Sequence, residues 1–281
     1  MKLCIIGTGK MGSALAAGLA KGRAVKPKDI LLADSSFRKA KSAAKSIGAT
    51  ACKTAGEAVR KSQAVIIAVK PNVVEEVLQQ LGGALRGKLL VSIAATIPLS
   101  FIESRTPKSC RVALAMPNIA MQSGAGMCCY VLGKRCRSSD GKLLQRLLSS
   151  AGYAMQLRRD SEIDNVYISS SGIAFFFMAI DSLARAAQQN GMERKQALRI
   201  AAAAAYGAGA VALSSGKEPL ELEEMVATKG GITAEGLKVL RKERVPQAFF
   251  SAAKTCIAKV KRLRKSSGLH PLSLSQSERS R

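Results

Sequence analysis

The chain has no tryptophan, one histidine and only 4% aromatic residues. His270 lies near the C-terminal end, so a histidine general base or a Ser-His-Asp triad is excluded as the catalytic device. Few aromatics leave little to stack on nucleic-acid bases, and no specific nucleic-acid partner is expected. Seven cysteines (Cys4, Cys52, Cys110, Cys128, Cys129, Cys136, Cys256) form no C-x-x-C pair, which argues against both a zinc site and a disulfide framework. Scattered thiols in odd number fit a reducing cytosol. No continuous apolar run is long enough for a bilayer, and Met1-Lys2-Leu3 leads straight into a strand-like run, so we expect no leader, no membrane partner and a cytoplasmic protein. Acidic residues are also scarce. Against 19 Asp+Glu stand 44 Lys+Arg, for a net charge of +25. Residues 251–281 hold 8 basic residues and 1 acidic one, so most of the excess is spread over the folded part, where it attracts anionic substrates.

What is present is a 47% apolar chain of 281 residues, enough for two ordinary domains. Short hydrophobic runs ("KLCIIG", "DILLAD", "AVIIAVKP", "KLLVSIAA") alternate with helical patterns near 11–22, 36–47 and 72–81. Continuous hydrophobic strands separated by helices predict a doubly wound, mainly parallel sheet, which "CRVALAMPN" and "AGMCCYVLG" extend. From about residue 162 the texture becomes Ala-rich and helical. Helices that apolar need covering nearly all round, and an interleaved dimer would cover them. We expect residues 1–158 to form a dinucleotide-binding domain, 159–265 a helical dimerisation and substrate domain, and 266–281 a disordered tail.

"IIGTGKMGSALAAGL" places Gly7, Gly9 and Gly12 in G-x-G-x-x-G spacing between a strand and a helix. Glycines there permit the tight turn and close approach of a pyrophosphate to backbone, so the first domain is expected to be Rossmann-like. Asp34 follows the second strand about twenty residues on, where an acid takes the ribose hydroxyls of NAD. Ser35, Ser36, Arg38 and Lys39 come next and suit a 2'-phosphate; a helix cap and a solvated first turn explain Ser36 and Arg38 equally well. Further along, "MVATKGGITAEGL" interrupts a helical region with Gly230-Gly231, and Thr233 is placed to cap a helix beginning at Ala234. A glycine-rich approach to a helix N-terminus gathers unpaired N-H donors and binds anions.

Together with "AVKP", "VSIAATI", "AMPN", "SSSGIAF" and "ATKGGITAEGL", these motifs resemble the pyrroline-5-carboxylate reductase family in order and spacing, from residue 1 to about 263. The resemblance implies a Rossmann-like domain followed by an all-helical C-terminal dimerisation domain. It implies NADPH, with NADH as the alternative, held by Gly7, Thr8, Gly9, Lys10, Met11, Gly12, Ser35, Val69, Lys70, Pro71, Ala94 and Ala95, beside the Asp34 and Ser36 read above from the sequence. It also implies 1-pyrroline-5-carboxylate bound by Ser169, Ser171, Thr228, Gly230, Gly231, Ile232 and Thr233, with Thr233 as the catalytic residue hydrogen-bonding the ring nitrogen. As bare sequence, Ser169 and Ser171 are explained equally well as helix caps. The implied reaction is hydride transfer to the ring C=N, giving L-proline, in a homodimer or a multiple of dimers with no metal.

Departures from the family pattern are several. The chain has Ser170 for glycine, Ile173 for proline and Phe175 for tyrosine within the usual S-G-S-G-P-A-Y, Thr96 for glycine, Ile119-Ala120 for Thr-Pro, Lys229 for proline and Ala55 for asparagine. They leave room for a non-catalytic dinucleotide-binding regulator. A reductase of the beta-hydroxyacid dehydrogenase type needs a lysine acid in the first long helix of the second domain, where residues 174–191 offer only Arg185.

Overall fold

In a computed structural model, which describes residues 1–266, eight strands form one sheet in the order β3-β2-β1-β4-β5-β6-β7-β8. The strands are β1 (Leu3–Ile6), β2 (Ile30–Ala33), β3 (Thr50–Ala51), β4 (Ala64–Ile67), β5 (Leu89–Ser92), β6 (Arg111–Pro117), β7 (Gly126–Leu132) and β8 (Gly152–Gln156). All neighbours run parallel except β6 and β7. The first four long strands are fully buried, as expected where helices cover both faces. Two apolar clusters fill those faces, one including Cys4, Ile67, Leu78 and Ile102 and the other Leu15, Leu19, Tyr130 and Leu148.

Helices α1 (Lys10–Lys21), α2 (Phe37–Ile47), α3 (Ala55–Arg60), α4 (Val74–Leu81), α5 (Leu99–Ser104) and α6 (Ser138–Ser149) complete the layers. Register pairs Ile6 with Ala33 and with Ile67, and Ile67 with Ser92. The residues that follow, Gly7, Asp34, Ala68 and Ile93, therefore leave the sheet along one edge. The strand order reverses between β1 and β4, and in an open α/β sheet ligands bind outside the carboxyl ends at that reversal.

The rest of the described residues are mainly helical: α7 (Ile163–Gln189), α8 (Arg194–Ser215), α9 (Pro219–Val226), α10 (Ile232–Lys242) and α11 (Val245–Ser266). Two compact units divide the chain. Met1–Ser170 and the chain from Ile257 make the first; Ser171–Cys256 make the second. The division falls inside α7 and not at the expected 158/159, because Ile163 and Val166 at the start of α7 pack into the core of the sheet. Arg264 holds the end of α11 to the same unit through the Asp164 carboxylate at 2.9 Å, the Asp160 carbonyl at 3.1 Å and the Asp160 carboxylate. Of the expected tail 266–281, all beyond Ser266 lies outside the described residues.

In the second unit, Ala184, Ala197 and Ala201 are buried where small side chains let helices approach, and Phe175 meets Phe249 edge-on at 6.1 Å. Much of the rest is apolar and open: Phe177 is 62% and Tyr206 71% exposed. The expectation that no segment is long enough for a bilayer is corrected here. By length and composition alone, Asp160–Gln189 and Arg194–Ser215 each contain an 18-residue stretch of mean hydropathy 1.5 and 1.4, enough to cross one. The sequence hid this because isolated polar residues break each apolar run without lowering its average much.

Candidate functional site

Gly7 follows β1 with φ +97, a conformation open to glycine, and donates its N-H to Ala33 O at 2.8 Å. A Cβ there would lie 2.6 Å from the carbonyl of Ala68, so only glycine lets the turn settle onto the end of β4. Thr8 is buried and held on both sides. Its N-H and hydroxyl donate to Asp34 Oδ2 at 2.7 and 3.0 Å, and its carbonyl accepts from Ser13 Oγ at 2.9 Å. Gly9 caps α1 without a side-chain bond, and no acid occupies the first turn. A Cβ on Gly9 would meet nothing within 4 Å. The first N-H groups of α1 thus face open space at the positive end of its dipole, which fits a dinucleotide pyrophosphate. Lys10 is exposed and Met11 half-buried beside them.

Asp34, half-buried, accepts the N-H of Ser36 at 3.0 Å and the hydroxyl of Ser35 at 3.4 Å through its other oxygen. Partial burial pushes its carboxyl up, but the N-H groups of Ser36 and Thr8, the Thr8 hydroxyl and the charge of Lys39 outweigh that and hold it below the usual range. Ser36 is the N-cap of α2 but makes no side-chain cap bond. Val69, Lys70 and Pro71 form the turn leaving β4, where Pro71 opens a short 3-10 helix. Past β5, Ala94 donates to Ser92 Oγ at 3.3 Å and the carbonyl of Ala95 accepts from Thr96 Oγ1 at 2.6 Å. All of these expected dinucleotide residues lie in the first unit along the carboxyl edge.

Thr96 stands at φ +67. A β-branched residue there costs about 1–2 kcal/mol, more than glycine would lose in chain entropy. We expect Thr96→Gly to raise the melting temperature by about 2 °C, whereas Thr96→Val, which keeps the branching and loses the hydroxyl bond, lowers it. A thermal scan of both variants decides; a Thr96→Gly protein less stable than wild type overturns the strain.

Two further residues were not singled out from sequence. Asn118, where β6 ends, accepts from Met127 N at 3.2 Å and donates to Ser169 O at 3.1 Å, tying the hairpin to α7; its place in "AMPN" was the available signal. Burial pushes the Tyr167 phenol up, against the pull of the Thr96 N-H beside it.

Ser169 and Ser171 lie inside the continuous α7, so the reading of them as caps is overturned. Ser169 Oγ is buried with no hydrogen-bond partner. In the second unit, Gly230 (φ +76) turns the chain after Thr228, and Gly231 donates to Thr228 O at 2.9 Å. The helix then begins at Ile232 with Gly231 as its N-cap, in extended conformation and with no side-chain cap bond. Thr233 is therefore not the cap expected from sequence; it occupies the first turn, exposed, because Gly231 already adopts the capping conformation. The first N-H groups of α10 are left without intrahelical partners beside the hydroxyls of Thr228 and Thr233. Ile232 is 95% exposed. Among the described residues no cluster of His, Cys, Asp or Glu suits a metal.

The model for pyrroline-5-carboxylate reductase dimerisation matches residues 161–263, and that for coenzyme F420-dependent NADP oxidoreductases matches residues 2–96. The chain is 36% identical over 253 residues to the pyrroline-5-carboxylate reductase of Methanosarcina acetivorans, covering 89% of this chain and 93% of that protein. It is 30% identical over 266 residues to that of Escherichia coli K12, covering 94% and 99%. The crystal structure of Plasmodium falciparum pyrroline carboxylate reductase with NADP bound superimposes with a TM-score of 0.83 at 26% identity, covering 94% and 98%. With the glycine turn at the sheet reversal and the dimerisation helices both matched, the chain belongs to the pyrroline-5-carboxylate reductase family.

Proposed function

We propose that this protein reduces 1-pyrroline-5-carboxylate to L-proline, with NADPH as donor, as a homodimer or a multiple of dimers in the cytoplasm. The observation that carries the reading is the Gly230–Thr233 loop. With Thr228 it offers unpaired N-H groups and two hydroxyls to a carboxylate, in a chain that also opens the N-terminus of α1 to a dinucleotide.

Bound NADPH supplies a hydride from C4 of its nicotinamide. The chain's own work is positional. The first turn of α1 holds the pyrophosphate, and Val69, Lys70, Pro71, Ala94 and Ala95 line the sheet edge beside it. The first turn of α10 fixes the substrate carboxylate, and the Thr233 hydroxyl bonds the ring nitrogen. A protonated imine accepts hydride readily, so a site without histidine or metal suffices. Exposed Ser35, Arg38 and Lys39 at a helix start free of acids support NADPH. The apolar faces of α7 and α8 support a second copy as their cover, and all seven thiols are free, which suits a reducing compartment.

Purified protein given pyrroline-5-carboxylate should oxidise NADPH, with higher kcat/KM than for NADH. Steady-state absorbance at both cofactors tests this. A strong preference for NADH overturns the choice of donor, and no turnover with either favours a non-catalytic dinucleotide-binding regulator.

A further inference from the structure

The Asp34 carboxylate is filled by the chain itself. A carboxylate presents about four lone-pair sites. Oδ2 takes the Thr8 N-H (2.7 Å) and hydroxyl (3.0 Å); Oδ1 takes the Ser36 N-H (3.0 Å) and, more weakly, the Ser35 hydroxyl (3.4 Å). A ribose brings two more donors to such an acid. To accept them Asp34 would have to release two of its own: the exposed Ser35 hydroxyl can turn away, but the second would be the Ser36 N-H at the start of α2 or a donor of Thr8, a residue only 8% exposed, and either one loses its acceptor. The exchange trades bond for bond and strands a donor. We infer that Asp34 is a positioning residue that clamps the glycine-rich turn through Thr8, and that it is not the acceptor of the dinucleotide ribose.

The inference rests on the dinucleotide reading given above. With Thr8 pinned by Asp34 on one side and Ser13 on the other, the N-H groups at the start of α1 stay aimed at one point. The pyrophosphate is common to NADPH and NADH. Losing the clamp therefore weakens both, whereas losing a ribose acceptor weakens NADH alone.

The test is titration of NADPH and NADH into the full-length protein, read from the fluorescence of the reduced nicotinamide, with melting temperatures taken on the same preparations. Asp34→Asn turns an amide N-H towards donors and should weaken both dinucleotides about tenfold, leaving their ratio within about threefold of wild type. Thr8→Val should weaken both in the same direction, and Thr8→Ser, which keeps the hydroxyl, should restore wild-type affinity. Three results overturn the clamp: selective loss of NADH in Asp34→Asn, tighter NADH in Thr8→Val where a lone pair is freed, or lowered melting temperature with both affinities unchanged. If wild type binds neither dinucleotide, the dinucleotide reading itself fails and the clamp with it.

Discussion

Gly9→Ala should weaken dinucleotide binding about a hundredfold while leaving the melting temperature where it is. Gly9 has φ −69 and ψ −171, which alanine adopts freely, and beyond its chain neighbours its added Cβ would meet no protein atom within 4 Å. The methyl group instead enters the space in front of the first N-H groups of α1, where the pyrophosphate must come close to backbone. Losing one or two hydrogen bonds to a charged group costs about 3 kcal/mol, or about two decades in Kd. Gly12→Ala provides the contrast. Its Cβ would lie 2.0 Å from Gly7 O and 3.1 Å from Ala68 Cβ, so helix and turn must separate, and that variant should lose both affinity and stability. Calorimetric titration with NADPH beside a thermal scan tells the two apart. A Gly9→Ala protein that binds NADPH as wild type does would remove the pyrophosphate from the α1 N-terminus.

The parts of the fold with a continuous physical signal were legible in the sequence, and the parts decided by packing were not. β1, β2, β4 and β5 are buried on both faces and read as apolar runs, whereas β3 has two residues and β8 exposes Tyr153 and Met155, so neither stands out. The change to Ala-rich texture marked a second domain but missed that α7 begins inside the first, since Ile163 and Val166 serve the core of the sheet. Ser169 and Ser171, readable as helix caps, lie within a helix that runs unbroken from Ile163 to Gln189. The glycine spacing located the turn, yet nothing in "ADSS" shows that Asp34 faces back towards Thr8, because that contact joins residues 26 apart. Thr96 was visible as a departure from glycine; its positive φ was not.

The Gly230–Thr233 loop gives the second large effect. Thr233→Ala should lower kcat/KM for pyrroline-5-carboxylate by about one to two decades, the cost of one hydrogen bond to a charged partner at roughly 1.5–3 kcal/mol. NADPH affinity should not move, because Thr233 lies in the second unit and the glycine-rich turn in the first. Stability should not move either. From sequence, Thr233 had a competing role as a cap, whose removal costs about 1 kcal/mol; the cap is in fact Gly231, and the exposed Thr233 hydroxyl supports no part of the fold. Gly231→Val should cost more activity for a different reason. At φ −80 its backbone accepts valine, but a Cβ there lies 2.5 Å from Thr228 Oγ1 and 3.1 Å from Thr228 O, so Thr228 must leave the position in which it accepts the Gly231 N-H. Kinetics and a thermal scan on one Thr233→Ala preparation separate the roles. Full activity with a lowered melting temperature would return Thr233 to the fold and take the carboxylate site away from this loop.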